Sequence, residues 1–196
     1  PANMTDSLTR TIRRFAAPDL VERYVPGLVA QDMESQLQGA MSMTERFAGS
    51  DVGATETRAV PSGDHWLLFG DKWFCSNADA DLALVLARAE GAPGGTAGLG
   101  LFLMPRTLPS GEPNRYRIVR LKDKLGTRAM PSGEIVLEGA TAWLVGDLGQ
   151  GFKQMAEMVN QSRLSNGIRS TGMMRRAVHE AMTVALGRHA FGRRLI

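Results

Sequence analysis

The chain has 196 residues, 43% of them hydrophobic and 22% charged, which is the balance of a folded domain and not of a disordered segment. No apolar run approaches the ~20 residues a membrane span needs, the opening PANMTDSLTRTIRRF lacks the apolar core of a secretory signal, and the single Cys75 excludes an intramolecular disulfide and suits a reducing cytoplasm. The formal net charge of +3 conceals an asymmetry, because residues 1–149 hold 15 Lys/Arg against 18 Asp/Glu while residues 150–196 hold 8 against 2; a basic end of this kind suits nucleic acid, a phosphorylated cofactor or an acidic protein surface.

From Asp6 to about Gln38 the pattern is helical. Leu8, Ile12 and Phe15 fall at i, i+4 and i+7, and Pro18 separates them from a second run with Leu20, Tyr24 and Leu28, in which Pro26 predicts a kink. From Met41 to about Gly146 the period is two. HWLLFGDKWF, DLALVLARA, GLGLFLMP, NRYRIVRL, GEIVL and ATAWLV read as short strands, divided by turn-forming stretches. GAPGGTAG reads as a mobile hairpin tip, since no Lys-Ser/Thr pair follows to serve a phosphate. From Gly149 onward Phe152, Met155 and Val159 mark a helix, Asn160–Ser162 predicts a break, and a longer helix carries Ile168, Met174, Val178, Met182 and Leu186 on one face. The expected class is α+β: an antiparallel two-sheet β-sandwich or barrel flanked by helices that need further partners.

Four strings carry the chemistry. MTERFAGSD (Met43–Asp51) reads locally as a strand end followed by a tight turn with Gly49 at positive φ. GDKWFCSN (Gly70–Asn77) reads as a strand ending in a polar turn, and KDKLGTRAMPSGEIVLEGA as strand, turn and strand. SRLSNGIRSTGMMRRAVHEAMTVALGRHAFGRRLI reads as a basic amphipathic helix. Cys75 has no second thiol or histidine at ligand spacing and is expected to be buried and inert. His65, His179 and His189 have no metal-site spacing, Glu45 and Asp51 suit turn and capping roles, and the methionines suit core filling.

Taken together and in this order, the strings MTExxAGSD, GxKWFxS, LKDKLGxR and RxxFGxxLI resemble the acyl-CoA dehydrogenase family over nearly the whole chain. KWFCS, RLKDKLGTR and GMMRRAV before RHAFGRRLI resemble its alkylation-response, AidB-type branch. The resemblance implies that residues 1–40 end an N-terminal helical domain, 41–147 form a flavin-binding middle β domain, and 148–196 begin a C-terminal helical bundle, in a chain cut from a longer polypeptide. It implies FAD as cofactor. A flavin needs a polar edge, an apolar wall and cations for its pyrophosphate. By resemblance Met43 and Thr44 border the ring, Phe74 stands where a tryptophan usually packs on it, and Ser76 stands for a threonine hydroxyl. Gly49 and Ser50 would lie near phosphate, while Arg188 and Phe191 would reach the FAD of a neighbouring subunit in a homodimer or homotetramer.

The family's proton-abstracting carboxylate usually lies beyond the point where this chain ends. In a minority it immediately precedes the arginine that matches Arg163, and that position here is Ser162, which cannot serve as the base. Two functions stay open: an oxidoreductase of fatty acid metabolism acting on an acyl-CoA thioester, or a cytoplasmic flavoprotein associated with DNA and alkylation protection, in which dehydrogenase activity is residual.

Overall fold

A computed structural model describes residues 2–194 and 196. They divide into two compact units, one up to Val159 and one from Asn160 onward. The first unit opens with α1 (Ala2–Phe15) and α2 (Pro18–Leu28). Pro18 sits at the first position of α2, where its missing N–H costs nothing, and Pro26 falls in the last turn. The strands are β1 (Gly39–Ser42), β2 (Arg58–Ser62), β3 (His65–Ser76), β4 (Leu82–Ala89), β5 (Leu99–Pro105), β6 (Tyr116–Leu121) and β7 (Ser132–Val145).

These strands form one continuous sheet that closes on itself through β2–β3–β7–β5–β4 and back to β2. The α+β class with a barrel-like middle is therefore as the sequence predicts. Most pairings are antiparallel, but β1 and β2 both run parallel to β4. No crossover helix is involved. β1 and β2 are two halves of a single stave lying between β3 and β4, and the chain swings out between them over residues 43–57. β5 and β6 likewise share the stave beside β7, with residues 106–115 swinging out.

β4 explains why the run LALVLA is apolar without alternation. Leu82, Leu84 and Leu86 pack outward with Leu8, Ile12, Leu20 and Leu28 of the helices, while Ala83, Val85 and Ala87 fill the narrow barrel interior with Phe102, Ile135 and Ala142. Both faces are buried, so the period-two signal is lost.

Three expectations are corrected in the elements. GEIVL and ATAWLV are one strand, β7, which passes through Gly139 at φ +88 with a register irregularity opposite Leu68/Phe69. β2 was not foreseen, because Pro61 lies inside it. The break at Asn160–Ser162 does not occur: α3 runs from Gly151 to Gly187. Asn160 and Ser162 are accommodated by bonds along the helix, from Arg163 Nη1 to Asn160 Oδ1 and from Asn166 Nδ2 to the Ser162 carbonyl. The first turns of α3 bury Met155 and Met158 in the helix-side core of the first unit. The start of α3 lands on β5 at Gly151, where a Cβ would meet the Gly100 backbone at 2.4 Å. The hairpin tip 91–98 is tied down, since Arg88 donates to the carbonyls of Pro93, Gly95 and Gly53.

The second unit holds the remainder of α3 and a small hairpin, β8 (His189–Ala190) with β9 (Arg193–Arg194). Its apolar residues Ile168, Met174, Val178, Met182 and Leu186 are exposed.

Candidate functional site

The excursion 43–57 is locked to β3 by a buried ion pair. Lys72 is fully buried, and its ammonium donates to Glu45 Oε1 at 2.6 Å and to the Met43 carbonyl at 3.2 Å. The Glu45 carboxylate also accepts from the Glu56 N–H at 2.7 Å, the Thr57 N–H at 3.1 Å and the Thr57 hydroxyl at 2.6 Å. One carboxylate thus gathers the beginning and the end of the loop onto the strand. Burial works to raise the Glu45 pKa, but the Lys72 charge and these donors outweigh it and leave it below the ordinary range. Burial pulls Lys72 downward while Glu45 pulls it back. With so many donors on Glu45, its ionised form is the one the geometry favours. Glu45 thus takes a buried ion-pair role in place of the turn and capping role expected of it, and Asp51 makes no side-chain capping bond to the 3₁₀ turn that follows it. Gly49 does not take a positive φ, and a Cβ there would meet nothing within 4 Å.

Beyond Lys72, β3 leaves its register with β7 and regains it at Cys75. Phe74, at the centre of this bulge, has φ +54. A bulky residue in the left-handed region stores about 1–3 kcal/mol of strain. Phe74 is 57% exposed, so the strained backbone leaves an aromatic residue facing outward instead of burying it. The bulge is held to the loop by the Trp73 N–H, which donates to the Thr44 carbonyl at 2.7 Å. Ser76 follows, in register with Met41 on one side and Ser132 on the other. Met43, Thr44, Phe74 and Ser76 are therefore joined through adjacent strands, with Gly49 and Ser50 exposed on the same loop. Thr44 and Ser76 are half-buried, and neither hydroxyl is engaged by another described side chain. An exposed aromatic face beside two available hydroxyls fits a planar ligand with a polar edge.

Cations surround the bulge. Lys122 Nζ lies 3.5 Å from the Trp73 ring centroid and 4.6 Å from that of Phe74, and Arg46 lies 5.5 Å from Trp73. Lys122 is ion-paired with Glu134, which Arg120 also grips through two bonds of 2.9 Å. Those hydrogen bonds, first from Arg120 and then from Lys122, pull the Glu134 carboxyl down to about 2. The sequence reading missed Lys72, Lys122 and Glu134. The one signal was a lysine within β3, beside Asp71 and followed by Trp73-Phe74-Cys75. Cys75 is buried, and burial raises its thiol pKa, which suits an inert residue.

Arg188 and Phe191 belong to the second unit. Arg188 follows α3, and Phe191 is fully exposed at φ +55 in the β8–β9 turn.

The family profile for the acyl-CoA dehydrogenase middle domain matches residues 40–140, and that for the acyl-CoA dehydrogenase C-terminal domain matches residues 149–196. The chain belongs to the acyl-CoA dehydrogenase family. It is 38% identical to acyl-CoA dehydrogenase family member 11 of Caenorhabditis elegans over 201 residues, covering 98% of this chain and 33% of that protein. It is 39% identical to AidB of Escherichia coli over 183 residues, covering 93% of this chain and 33% of AidB. The chain thus spans about a third of the length of these relatives. Among solved structures, Caenorhabditis elegans ACDH-11 in complex with C11-CoA superposes with a TM-score of 0.87 at 37% identity, over 100% of this chain and 34% of that one. A glutaryl-coenzyme A dehydrogenase in complex with glutaryl-CoA gives 0.78 at 30% identity, over 96% and 46%. Within the family match, the excursion and the bulge both belong to the middle domain.

Proposed function

We propose that this chain is the FAD-binding core of an acyl-CoA dehydrogenase-type flavoprotein, with residues 41–147 as the flavin-binding domain between helical segments 1–40 and 148–196. The observation that carries the reading is Phe74, an aromatic residue held exposed in a strained left-handed backbone. Strain of this kind persists where the surrounding structure has a use for it. Phe74 would form the apolar wall for one face of the isoalloxazine and keep water from it. Met43 and Thr44 would border the ring, with the Thr44 and Ser76 hydroxyls supplying hydrogen bonds to its polar edge. Gly49 and Ser50 would lie near phosphate, where the open space at Gly49 admits close backbone approach. Arg188 and Phe191 would serve the FAD of a neighbouring subunit, which makes a homo-oligomer part of the reading. When bound, FAD supplies the hydride acceptor for the β-carbon of an acyl-CoA thioester. The CoA thioesters bound in two similar structures support that substrate class.

The test is titration of the chain with FAD, followed by quenching of flavin fluorescence. Saturable binding is expected, weaker than in a protein spanning the relatives' full length and lowered by Phe74→Ala. A full-length protein that takes up no flavin after reconstitution would refute the assignment.

A second reading, a DNA-associated flavoprotein with residual dehydrogenase activity, is favoured by the basic end. Replacing Arg193 and Arg194 by alanine should then reduce the salt slope of DNA binding by roughly 1 per lost phosphate contact. Arg188→Lys should instead lower FAD occupancy and leave DNA affinity nearly unchanged.

A further inference from the structure

We propose that Lys122 is a positioning residue for the flavin wall, holding the Trp73–Phe74 bulge in the conformation that turns Phe74 outward; the role toward flavin rests on the FAD reading above. The bulge lacks the usual support of a strand. Between Lys72 and Cys75 the pairing with β7 lapses, so Trp73 and Phe74 have no ladder partner there. On the loop side one backbone bond, from the Trp73 N–H to the Thr44 carbonyl, fastens it.

The opposite side is fastened by Lys122. Its backbone N–H donates to the Ser132 carbonyl at 2.8 Å, and Ser132 is in turn the register partner of Ser76. The side chain is therefore launched from a fixed point across β7. Its ammonium contacts both rings of the bulge, at 3.5 Å from the centroid of Trp73 and 4.6 Å from that of Phe74. A lysine side chain has many rotamers, and ordering it is costly. Glu134 restricts it through the ion pair, and Arg120 in turn orients the Glu134 carboxylate through two parallel bonds. Arg46 adds a second cation near Trp73 at 5.5 Å. Trp73 thus carries two cations and Phe74 only that of Lys122, and Phe74, which is exposed, is the ring with room for a ligand. Arg120 orients Glu134, Glu134 tethers Lys122, Lys122 grips Trp73, and the bulge fixes the direction of Phe74.

The test uses Lys122→Met, which keeps length and bulk but removes the charge, and Lys122→Arg, which keeps the charge. Two measurements are made on each. The Trp73 indole N–H resonance, assigned by its absence in Trp73→Phe, reports the grip without any flavin. FAD titration reports the consequence. Lys122→Met should shift or broaden the Trp73 resonance while the other two indole signals stay in place, and should raise the FAD dissociation constant roughly 10-fold. Lys122→Arg should restore most of both. If Lys122→Met proves unfolded, Glu134→Gln, which removes the tether but leaves Lys122, should move the same resonance and weaken FAD in the same direction. An unmoved Trp73 resonance in the folded variant overturns the grip. A moved resonance with unchanged FAD affinity overturns the positioning role. Absence of flavin uptake by the unsubstituted full-length protein defeats the FAD reading and with it the role toward flavin, while the resonance still decides the grip.

Discussion

Burying an ammonium in a barrel wall costs several kcal/mol unless its charge is answered, and at Lys72 the answer comes from Glu45, 27 residues earlier in the chain. Glu45→Gln should leave the Lys72 charge uncompensated and destabilise the fold by about 3–5 kcal/mol. The double variant Glu45→Gln/Lys72→Met should recover part of that loss. Urea unfolding of both singles and the double gives the coupling, and a coupling near zero would mean that the pair does not hold the loop. Glu134 makes a different claim at the same scale. Its folded pKa, about 2 against an ordinary 4.5, means that its stabilisation is fully present above pH 4.5 and is lost as the pH falls toward 2. Glu134→Gln should therefore flatten the acid side of the stability profile. Urea midpoints at pH 6 and pH 3 check this, and equal losses in both proteins would remove Glu134 from the acid response.

Among the elements, β3 carries the conflict between stability and site. Phe74→Gly should relieve the left-handed strain and hold stability level or raise it by up to about 1 kcal/mol, while FAD affinity falls because the wall is gone. Thermal melts and FAD titration of the same variant decide it, and a clear loss of stability would show that Phe74 is held by packing and not by strain. The elements were legible in the sequence where one local force dominates. Leu8, Ile12 and Phe15 announce a helix, and LALVLA can only be buried backbone. β2 was not legible, because Pro61 argues against a strand and the pairing that overrides it comes from β3 and β4. The helix break at Asn160–Ser162 was expected from side chains that favour caps, yet the helix runs through, the Asn160 side chain accepting from Arg163 and the Ser162 carbonyl from Asn166. Motif resemblance singled out Phe74 as the place of an aromatic wall. It could not foresee Lys122, whose partners Trp73 and Glu134 are set by the register of β6, β7 and β3.

At the scale of the whole molecule, the barrel is closed by strands that share staves end to end. The join between β5 and β6 is completed by the buried Asn114 side chain, which donates to the Pro105 and Thr141 carbonyls at 2.7 and 2.8 Å and accepts from the Thr141 N–H at 2.8 Å. One carboxamide stands in for a missing peptide group. Glu45 completes the other join, between β1 and β2. The excursion 43–57 leaves the wall beside Val85 and returns beside Arg88, a span of about 10 Å along β4. Its two ends are therefore fixed by the wall and not by the length of chain between them. The excursion is in this sense a cassette plugged into two neighbouring sockets. The exposed residues of the cassette, Gly49 and Ser50 among them, can change in length or charge while the barrel keeps its rungs, provided that Glu45 stays to answer the buried Lys72.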